Sequence, residues 1–385
     1  MCAKKHQAKK PRTTGQKVFL IIIIIIVIAL AGTVGTLLFF ANRPANNYGS
    51  STKPDFPDPI YSRLTGLEIA DESSNSAPTY CIQVPNGDDG ARPQAGLNQA
   101  AVVFEAIAER GITRFAAVYQ NPTTSAIGPI RSLRTYYLNW DTPFDCTVVH
   151  AGGSDDALAN IQKGGQRNLD ESAIYMWRET RSGRAWNNLF TSATKLANFN
   201  SSKGYISSNP KTFPRLTPEA ASEATAANTT CIEESCVTDV VGEISIAFGA
   251  SPTYNTTYTY DPITNKYLRS YATGKPHLSY ECPTELAEPN TVTQCGDPIQ
   301  LAPSVVIAMV VSEHTANDNY HEEINTIGTG SATIFQNGQV IEGTWTKTNQ
   351  SSQIVFRDNN GDIVSFTPGQ VWIAAVPQYG GRIEY

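Results

Sequence analysis

The chain has 385 residues, of which 41% are hydrophobic and 17% charged, a composition that supports a folded core and argues against bulk disorder. The formal net charge is −6, but residues 1–17 carry six lysines and arginines and no acid. The remaining 23 basic and 35 acidic residues give the rest of the chain a charge of −12. Because binding to phosphate backbones needs a basic surface, this balance argues against a general nucleic-acid-binding protein.

A long apolar segment follows the basic tail. Residues 18–40 contain 23 consecutive uncharged residues, and about 20 are enough to span a bilayer core. The upstream cations favour a cytoplasmic N-terminus. The pattern predicts a cytoplasmic tail over 1–17, a single-pass type II anchor in the cell membrane over 18–40, and an extracytoplasmic body. A cleaved signal peptide is the alternative, but its apolar region is typically about 7–15 residues long.

Six cysteines follow the apolar segment, an even number that suits disulfides outside the cytoplasm. Six cysteines allow about 15 pairings, so the sequence does not fix the connectivity. The short spacings suggest Cys231–Cys236 and Cys282–Cys295, which leaves Cys81–Cys146. Free buried thiols and a zinc site are the alternatives. No CxxC or His-x-x-x-His accompanies these cysteines, which argues against zinc.

The first half of the body mixes strand and helix patterns. A Pro-, Asn- and Ser-rich stretch at 41–60 predicts an extended tether. Residues 102–108 and 113–120 read as strands joined by a Glu-Arg-Gly turn. Residues 146–154 read as a buried strand that ends in a glycine turn.

Two helices are predicted in this half. One begins after Ser154 as N-cap, with Asp155 and Asp156 in its first turn. The other covers 132–140, with Ser132 as cap and an apolar face at helical spacing that contains Leu133, Tyr136, Tyr137 and Trp140.

The second half is predicted to be mainly β. Residues 215–240 are rich in Ala, Thr and Glu, and read as a joint with a short helix after Thr217. Beyond residue 241 the pattern alternates, and 305–311 reads as a central strand. Asn337-Gly338 and Asn360-Gly361 each predict a hairpin turn.

Several stretches in matching order resemble one known family. They are ARPQAGLNQAAVVFEA (91–106), GITRFAAVYQ (111–120), IGPIRSLRTYYLNW (127–140), HAGGSDDALANI (150–161), NNLFTS (187–192), YDPITNKYLRSYATGKPH (260–277), SATIFQNGQVIEGTWTK (331–347) and FTPGQVWIAAVP (366–377). The chain is similar to the YerB-like bacterial envelope proteins, which carry domain of unknown function 3048 in N- and C-terminal modules. The resemblance covers most of 61–377.

The resemblance implies an extracytoplasmic protein, often a lipoprotein, with an α/β sandwich-like fold in two modules and no assigned enzyme activity. This chain departs from the family in three places. It has an apolar segment where the family has a lipid anchor, Asn187 where the family tends to have His, and an insertion at 281–303 that contains Cys282 and Cys295. Asn188, in the matching NNLFTS stretch, is carried over as a ligand-binding candidate.

The strongest candidate site is a set of cations in the first module: Arg114, Arg131, Arg134 and His150, with Glu105 near in sequence. Arg131 and Arg134 lie at the predicted start of a helix, where cations oppose the helix dipole. Two arrangements would compensate for them. One is a bound anion, since arginine forks match carboxylates and phosphates. The other is internal pairing with Glu105, Asp141 or Asp145.

The sequence gives weaker support for a functional role of the histidines. His150 ends a predicted strand, where ligands of open α/β sheets bind, so it is either a base or ligand contact or a residue bonded to nearby backbone. His277, His314 and His321 fit no recognised metal spacing and read as exposed loop histidines.

We therefore predict an α/β fold, in which a mixed sheet sandwich with helices on one side spans 61–215 and a mainly β module spans 240–380. The predicted function is a non-enzymatic envelope module whose arginines bind an anionic wall component or a partner protein. It needs no cofactor, metal or nucleic acid. The alternative is a hydrolase of wall glycan or peptide with Glu105 or His150 as acid/base, although no close carboxylate pair of the glycosidase kind is present.

Overall fold

The computed structural model describes residues 58–180, 185–227, 229–232, 235–238, 240–283, 292–316 and 320–385. Pro59–Tyr385 form one structural unit. The predicted tail and anchor, and the tether as far as residue 57, lie outside the described residues. Within the described ranges, the helices are all too short or too polar to cross a membrane.

Strands dominate the secondary structure. In chain order they are β1 Ile60–Tyr61, β2 Glu68–Ile69, β3 Thr79–Pro85, β4 Gln94–Ala95, β5 Val102–Glu109, β6 Ile112–Gln120, β7 Cys146–Val149, β8 Asn168–Leu169, β9 Trp177–Arg178, β10 Leu189–Phe190, β11 Thr229–Ile232, β12 Ser235–Thr238, β13 Glu243–Ala247, β14 Thr256–Asp261, β15 Lys266–Tyr271, β16 Leu278–Tyr280, β17 Ile299–Gln300, β18 Val305–Val311, β19 Glu313–Thr315, β20 Glu322–Ile324, β21 Gly328–Gln336, β22 Gln339–Lys347, β23 Val355–Asp358, β24 Val371–Pro377 and β25 Arg382–Glu384. The helices are α1 Thr135–Asp141, α2 Asp155–Gly164, α3 Ala193–Lys203 and α4 Pro218–Ala227.

A ten-stranded mixed sheet contains strands from both halves of the chain, in the order β23-β22-β21-β18-β24-β5-β6-β3-β7-β8. The halves meet where β24 pairs in parallel with β5, with Val371 opposite Val102. On its other side β24 pairs in parallel with β18. The central strands are therefore buried on both faces, which explains the continuous apolar run predicted as a strand at 305–311.

Each face of this sheet supports its own core. Val102 and Phe104 of β5 pack with α1 and α2 on one face. Val103 and Ile107 pack on the other face, with α3 and with the four-stranded sheet β15-β14-β13-β25. The predicted α/β fold with a mixed sheet sandwich is confirmed, with the refinement that α3 covers the face opposite α1 and α2.

Helix α1 begins three residues later than predicted. Its N-cap is Arg134, and no side chain caps it. Residues 131–133 stay extended because the amide of Arg131 donates to Gln83 and that of Leu133 donates to Gly152. Ser132 is therefore not the cap. Ser154 is the N-cap of α2 as predicted, although its side chain makes no capping bond.

The second half follows its predicted β pattern closely. The β21–β22 hairpin turns at Asn337 and Gly338, whose φ angles of 55° and 72° are those that a two-residue hairpin turn requires. At Asn360-Gly361 the return is shorter: β23 ends at Asp358, and the chain after the turn pairs with it through an isolated bridge between Arg357 and Ile363 and through backbone hydrogen bonds beside that bridge.

Two of the three predicted disulfides are present. Cys81–Cys146 joins the neighbouring strands β3 and β7. Cys282–Cys295 brackets the inserted loop. Cys231 and Cys236 lie opposite each other in the β11–β12 register, but their side chains fall outside the described part of the structure, so this bond stays a prediction.

The two disulfides should differ in their contribution to stability. Cys81–Cys146 closes a separation of 65 residues and Cys282–Cys295 one of 13. Loop-closure entropy predicts that the Cys81→Ala/Cys146→Ala variant loses about 4 kcal/mol and the Cys282→Ala/Cys295→Ala variant about 3 kcal/mol. Urea unfolding of both variants measures this order. A greater loss in the second variant would contradict it.

Candidate functional site

Glu105 is the centre of a buried polar network, not of an open cleft. Its side chain, like that of Arg269, is 0% exposed. Oε2 accepts from Arg269 Nη2 at 2.7 Å and from Trp372 Nε1 at 2.9 Å. Oε1 accepts from the Thr113 hydroxyl at 3.0 Å. The carboxylate is thus fully partnered and closed to solvent, which explains how a charge is tolerated in this core.

His277 belongs to the same network and is buried, not an exposed loop histidine as predicted. Arg269 Nη1 donates to His277 Nδ1, so the remaining ring proton is on Nε2, which donates to Gln94 Oε1 at 2.9 Å. Burial, with repulsion by Arg269 and Arg92, holds the pKa of His277 well below its usual value. This histidine is a neutral structural link between β4 and β15.

The arginine cluster is held by an acid that the sequence analysis missed. Glu109, at the end of β5, accepts from Arg114 Nη2 at 2.7 Å and from Arg134 Nη2 at 3.2 Å. Burial acts to raise the pKa of Glu109, but the attraction of Arg114, Arg134 and Arg131 outweighs it and the pKa is lowered. The predicted partners lie elsewhere: Glu105 binds Arg269, Asp141 accepts from Gln83, and Asp145 pairs with Arg167.

Arg131 differs from its two neighbours. Among the described residues, its guanidinium has no hydrogen bond and no ion pair, while its backbone amide is fixed to β3. Burial, followed by repulsion from Arg114, lowers the pKa of Arg131 to about 10, so the group stays charged at neutral pH. The internal salt bridges thus pair Arg114 and Arg134 with Glu109, whereas Arg131 is attracted by Glu109 and Asp89 without a direct contact.

A cavity of about 260 Å³ contains this guanidinium. Its described lining includes Pro85, Asn86, Gly87, Asp89, Glu109, Ile112, Thr113, Arg114, Arg131, Trp186, Asn187 and Tyr320. Trp186 and Tyr320 are 45% and 42% exposed, so aromatic surface is available at the cavity. The lining combines Arg114 and Arg131 with the acids Asp89 and Glu109 and with aromatic rings. Arg114 is paired with Glu109, so Arg131 is the arginine of this lining that could pair with an anionic group.

The structure places the neighbouring residues Asn187 and Asn188 in different surroundings. Asn188, the candidate carried over from the resemblance, donates to the Glu179 carbonyl and accepts from Arg178, both at 2.9 Å. It therefore holds the β9–β10 region together. Asn187 lines the arginine cavity and donates to Asp89 Oδ1 at 2.9 Å. Because Asn187 lines the cavity and Asn188 does not, Asn187 is the better candidate of the two.

His150 is fully buried and is not part of the arginine cavity. Nδ1 lies 2.8 Å from the Gly152 carbonyl, and Nε2 lies 2.8 Å from Asn168 Oδ1. The hydrolase alternative needs Glu105 or His150 in a cleft, but both side chains are buried and bonded to protein atoms. Over the described ranges, the structure contains no group of three or more His, Cys, Asp or Glu that could hold a metal ion.

Glu313 is a further buried acid, and it lies in the β19–β20 hairpin. The same hairpin contains His321, which forms an isolated backbone bridge with Glu109. Glu313 Oε2 is buried without a hydrogen-bond partner among the described residues. Burial, with repulsion by Glu322, raises the pKa of Glu313 to about 7.

Comparison with known proteins places this geometry in a family. Residues 64–206 match the N-terminal domain, and residues 244–373 the C-terminal domain, of the family described as "Protein of unknown function (DUF3048)". The chain is 28% identical over 331 residues to "Putative lipoprotein YerB" of Bacillus subtilis (strain 168), covering 84% of this chain and 88% of that protein. The crystal structure of the YerB protein from Bacillus subtilis matches with a TM-score of 0.67 and 25% identity, over 85% of this chain and 100% of the other.

The buried ion pair gives a stability prediction. Glu105→Gln leaves Arg269 charged without its partner, so we expect a loss of about 3–5 kcal/mol in the free energy of unfolding, measured by urea denaturation. The double variant Glu105→Gln/Arg269→Met should recover much of this loss. Glu171→Gln, in the exposed pair with Arg178, is the control and should change stability by less than about 1 kcal/mol. A small effect of Glu105→Gln would contradict the assignment.

Glu313 gives a pH-dependent prediction. The pKa of Glu313 is raised from 4.5 to about 7 in the folded state, so the folded protein holds this proton more tightly than the unfolded chain does. The contribution of protonated Glu313 to stability is therefore fully present below pH 4.5 and is lost as the pH rises through about 7. Glu313→Gln should therefore stabilise the protein by about 1–3 kcal/mol at pH 8 and have little effect near pH 4. Glu323→Gln, at an exposed residue paired with His314, is the control. An equal effect of Glu313→Gln at both pH values would refute the prediction.

Proposed function

The chain belongs to the DUF3048 family of YerB-like proteins, and from this premise we propose that it is a membrane-attached, extracytoplasmic binding module of the bacterial cell envelope. The name of the Bacillus subtilis relative, which marks that protein as a lipoprotein candidate, supports the location. The disulfides Cys81–Cys146 and Cys282–Cys295 support it independently, because such bonds persist in oxidising compartments.

The attachment proposed for this chain is a single-pass type II anchor at residues 18–40. The supporting observations are the 23 uncharged residues, the basic residues before them, and the absence of cysteine between residue 3 and Cys81, which leaves no nearby acceptor for a lipid. The body would then extend from the outer face of the membrane.

The uncompensated guanidinium of Arg131 is the observation that carries the binding role. Arg131 is half-buried, and partial removal of its guanidinium from water without a direct partner is unfavourable, so a ligand anion would supply the missing partner. The proposed ligand is therefore an anionic component of the cell wall. A hydrolytic role is not proposed, because both Glu105 and His150 are buried and bonded within the protein.

Wall binding can be tested by co-sedimentation. Full-length protein in an uncharged detergent is mixed with purified cell-wall sacculi and centrifuged. We expect the native protein to pellet and Arg131→Ala to bind about tenfold more weakly or worse, since a charge-assisted hydrogen bond contributes about 1.5–3 kcal/mol.

The control for this experiment is Arg382→Ala, which removes the same charge at an exposed position away from the cavity. It should pellet like the native protein. Equal pelleting of Arg131→Ala and native protein would exclude Arg131 as the binding group. Failure of the native protein to pellet would refute the wall ligand and redirect the search to protein partners.

A further inference from the structure

A second cavity, of about 280 Å³, lies against the loop that follows β3. Asp88 and Arg92 of that loop line it, together with Lys275 from the turn between β15 and β16. Its described lining has no residue in common with that of the arginine cavity. We propose that this second cavity, called the Arg92 cavity below, is a separate anion-binding site in which Arg92 and Lys275 hold one oxyanion, the head group that phosphates and carboxylates share.

The charged groups that line the Arg92 cavity have a positive balance. The described ones are Asp88, Arg92 and Lys275, one negative and two positive. His277, which also lines the cavity, is neutral because burial and repulsion by Arg269 hold its pKa well below the usual value. In the arginine cavity, by contrast, two acids balance two arginines. An anion that enters the Arg92 cavity therefore meets an attraction that the acids of its lining do not cancel.

Neutral groups fix the guanidinium of Arg92 in place. Nε donates to Asn86 Oδ1 at 2.9 Å, and Nη2 donates to the Thr253 carbonyl at 3.2 Å. The guanidinium carbon lies 3.6 Å from the centre of the Tyr271 ring, an arrangement that suits a cation–π contact. Within the described part of the chain, Nη1 has no hydrogen bond and Arg92 has no ion pair. The group is thus held in one orientation with Nη1 available to a ligand.

The acids near Arg92 do not compensate its charge by direct contact. The residue is half-buried, and burial is the largest influence on its pKa, which is lowered. Glu105 attracts Arg92, but that carboxylate is paired with Arg269. Asp88 acts on Tyr254, whose pKa is raised by burial and then by the charge of Asp88. Because partial removal of a guanidinium from water is unfavourable, a ligand oxyanion would supply the missing partner.

Lys275 supplies the second cation. Its backbone carbonyl accepts from the Tyr271 amide at 2.9 Å, which closes the turn after β15. The residue is exposed, and its ammonium group has neither a hydrogen bond nor an ion pair to a described residue. The Thr273 hydroxyl, on the same turn and the same lining, is a neutral donor. Arg92 and Lys275 approach the cavity from two parts of the chain, and the separate oxygens of a phosphate or a carboxylate suit such a pair of donors.

The test follows small fluorinated probes by fluorine NMR. The starting protein is full-length Arg131→Ala in an uncharged, fluorine-free detergent, because this variant lacks the guanidinium to which wall binding is assigned. The probes are trifluoroacetate for a carboxylate, monofluorophosphate for a phosphate, and trifluoroacetamide as the neutral counterpart. The broadening of each probe resonance gives its dissociation constant, at constant ionic strength in chloride.

We expect at least one of the two anions to bind saturably and trifluoroacetamide not to bind. Lys275→Glu should weaken anion binding about fivefold or more, because it replaces an attractive charge by a repulsive one. The matched control is Lys266→Glu, which makes the same change in net charge at an exposed lysine outside this lining and should bind like the starting protein. Arg92→Ala should abolish binding. Urea unfolding checks that this variant is folded, and Lys275→Glu decides the question if it is not.

The two anions distinguish the source of the oxyanion. Binding of either anion, or of both, supports the site when Lys275→Glu weakens it and Lys266→Glu does not. The proposal is overturned if neither anion binds, if trifluoroacetamide binds equally well, or if the two lysine variants have equal effects. Wall binding through Arg131 is tested separately by co-sedimentation, so the failure of one proposal leaves the other standing.

Discussion

The buried ion pair between Glu105 and Arg269 is the interaction on which the union of the two halves depends. The two residues are 164 positions apart in the chain, and Arg269 Nη2 lies 2.7 Å from Glu105 Oε2. Trp372 donates a second hydrogen bond to Glu105, and Arg269 donates to His277. A buried charge is tolerated only with a complete set of partners. Because the donors to the Glu105 carboxylate come from β6, β15 and β24, the carboxylate fixes how strands of the two halves meet around the central sheet.

The arginine site depends on the same strand, β5, through a break in its regularity. Strict alternation would place Glu109 on the same face as Glu105 and Ile107. The β5–β6 register shifts between Ile107 and Glu109, and such a bulge turns the following side chain to the other face. Glu109 thereby meets Arg114 and Arg134 instead of a second position in the buried network. This one register shift in β5 separates Glu105, in the buried polar network, from Glu109, which lines the arginine cavity.

Features with local causes could be predicted from the sequence, and features with distant causes could not. The Asn337-Gly338 turn follows from the φ angles that the turn requires, and the strand at 305–311 follows from its apolar run. The partner of Glu105 could not be foreseen, because nothing near it in sequence indicates residue 269. The partner of Arg114 was missed because Glu109 was predicted in the turn after the strand, whereas the strand includes it, and a bulge leaves no clear pattern in one sequence.

The absence of a direct acidic partner for Arg131 among the described residues follows from the way in which Glu109 is shared. Glu109 forms ion pairs with both Arg114 and Arg134, and Arg131, the third arginine of this region, forms no ion pair with it. The pKa of Arg131 is lowered to about 10, which still leaves it charged throughout the neutral range. Arg131 would therefore need no change of its own charge to pair with an anion near neutral pH, and the ionisation of Glu313 in the adjacent hairpin is one source of pH dependence in this region.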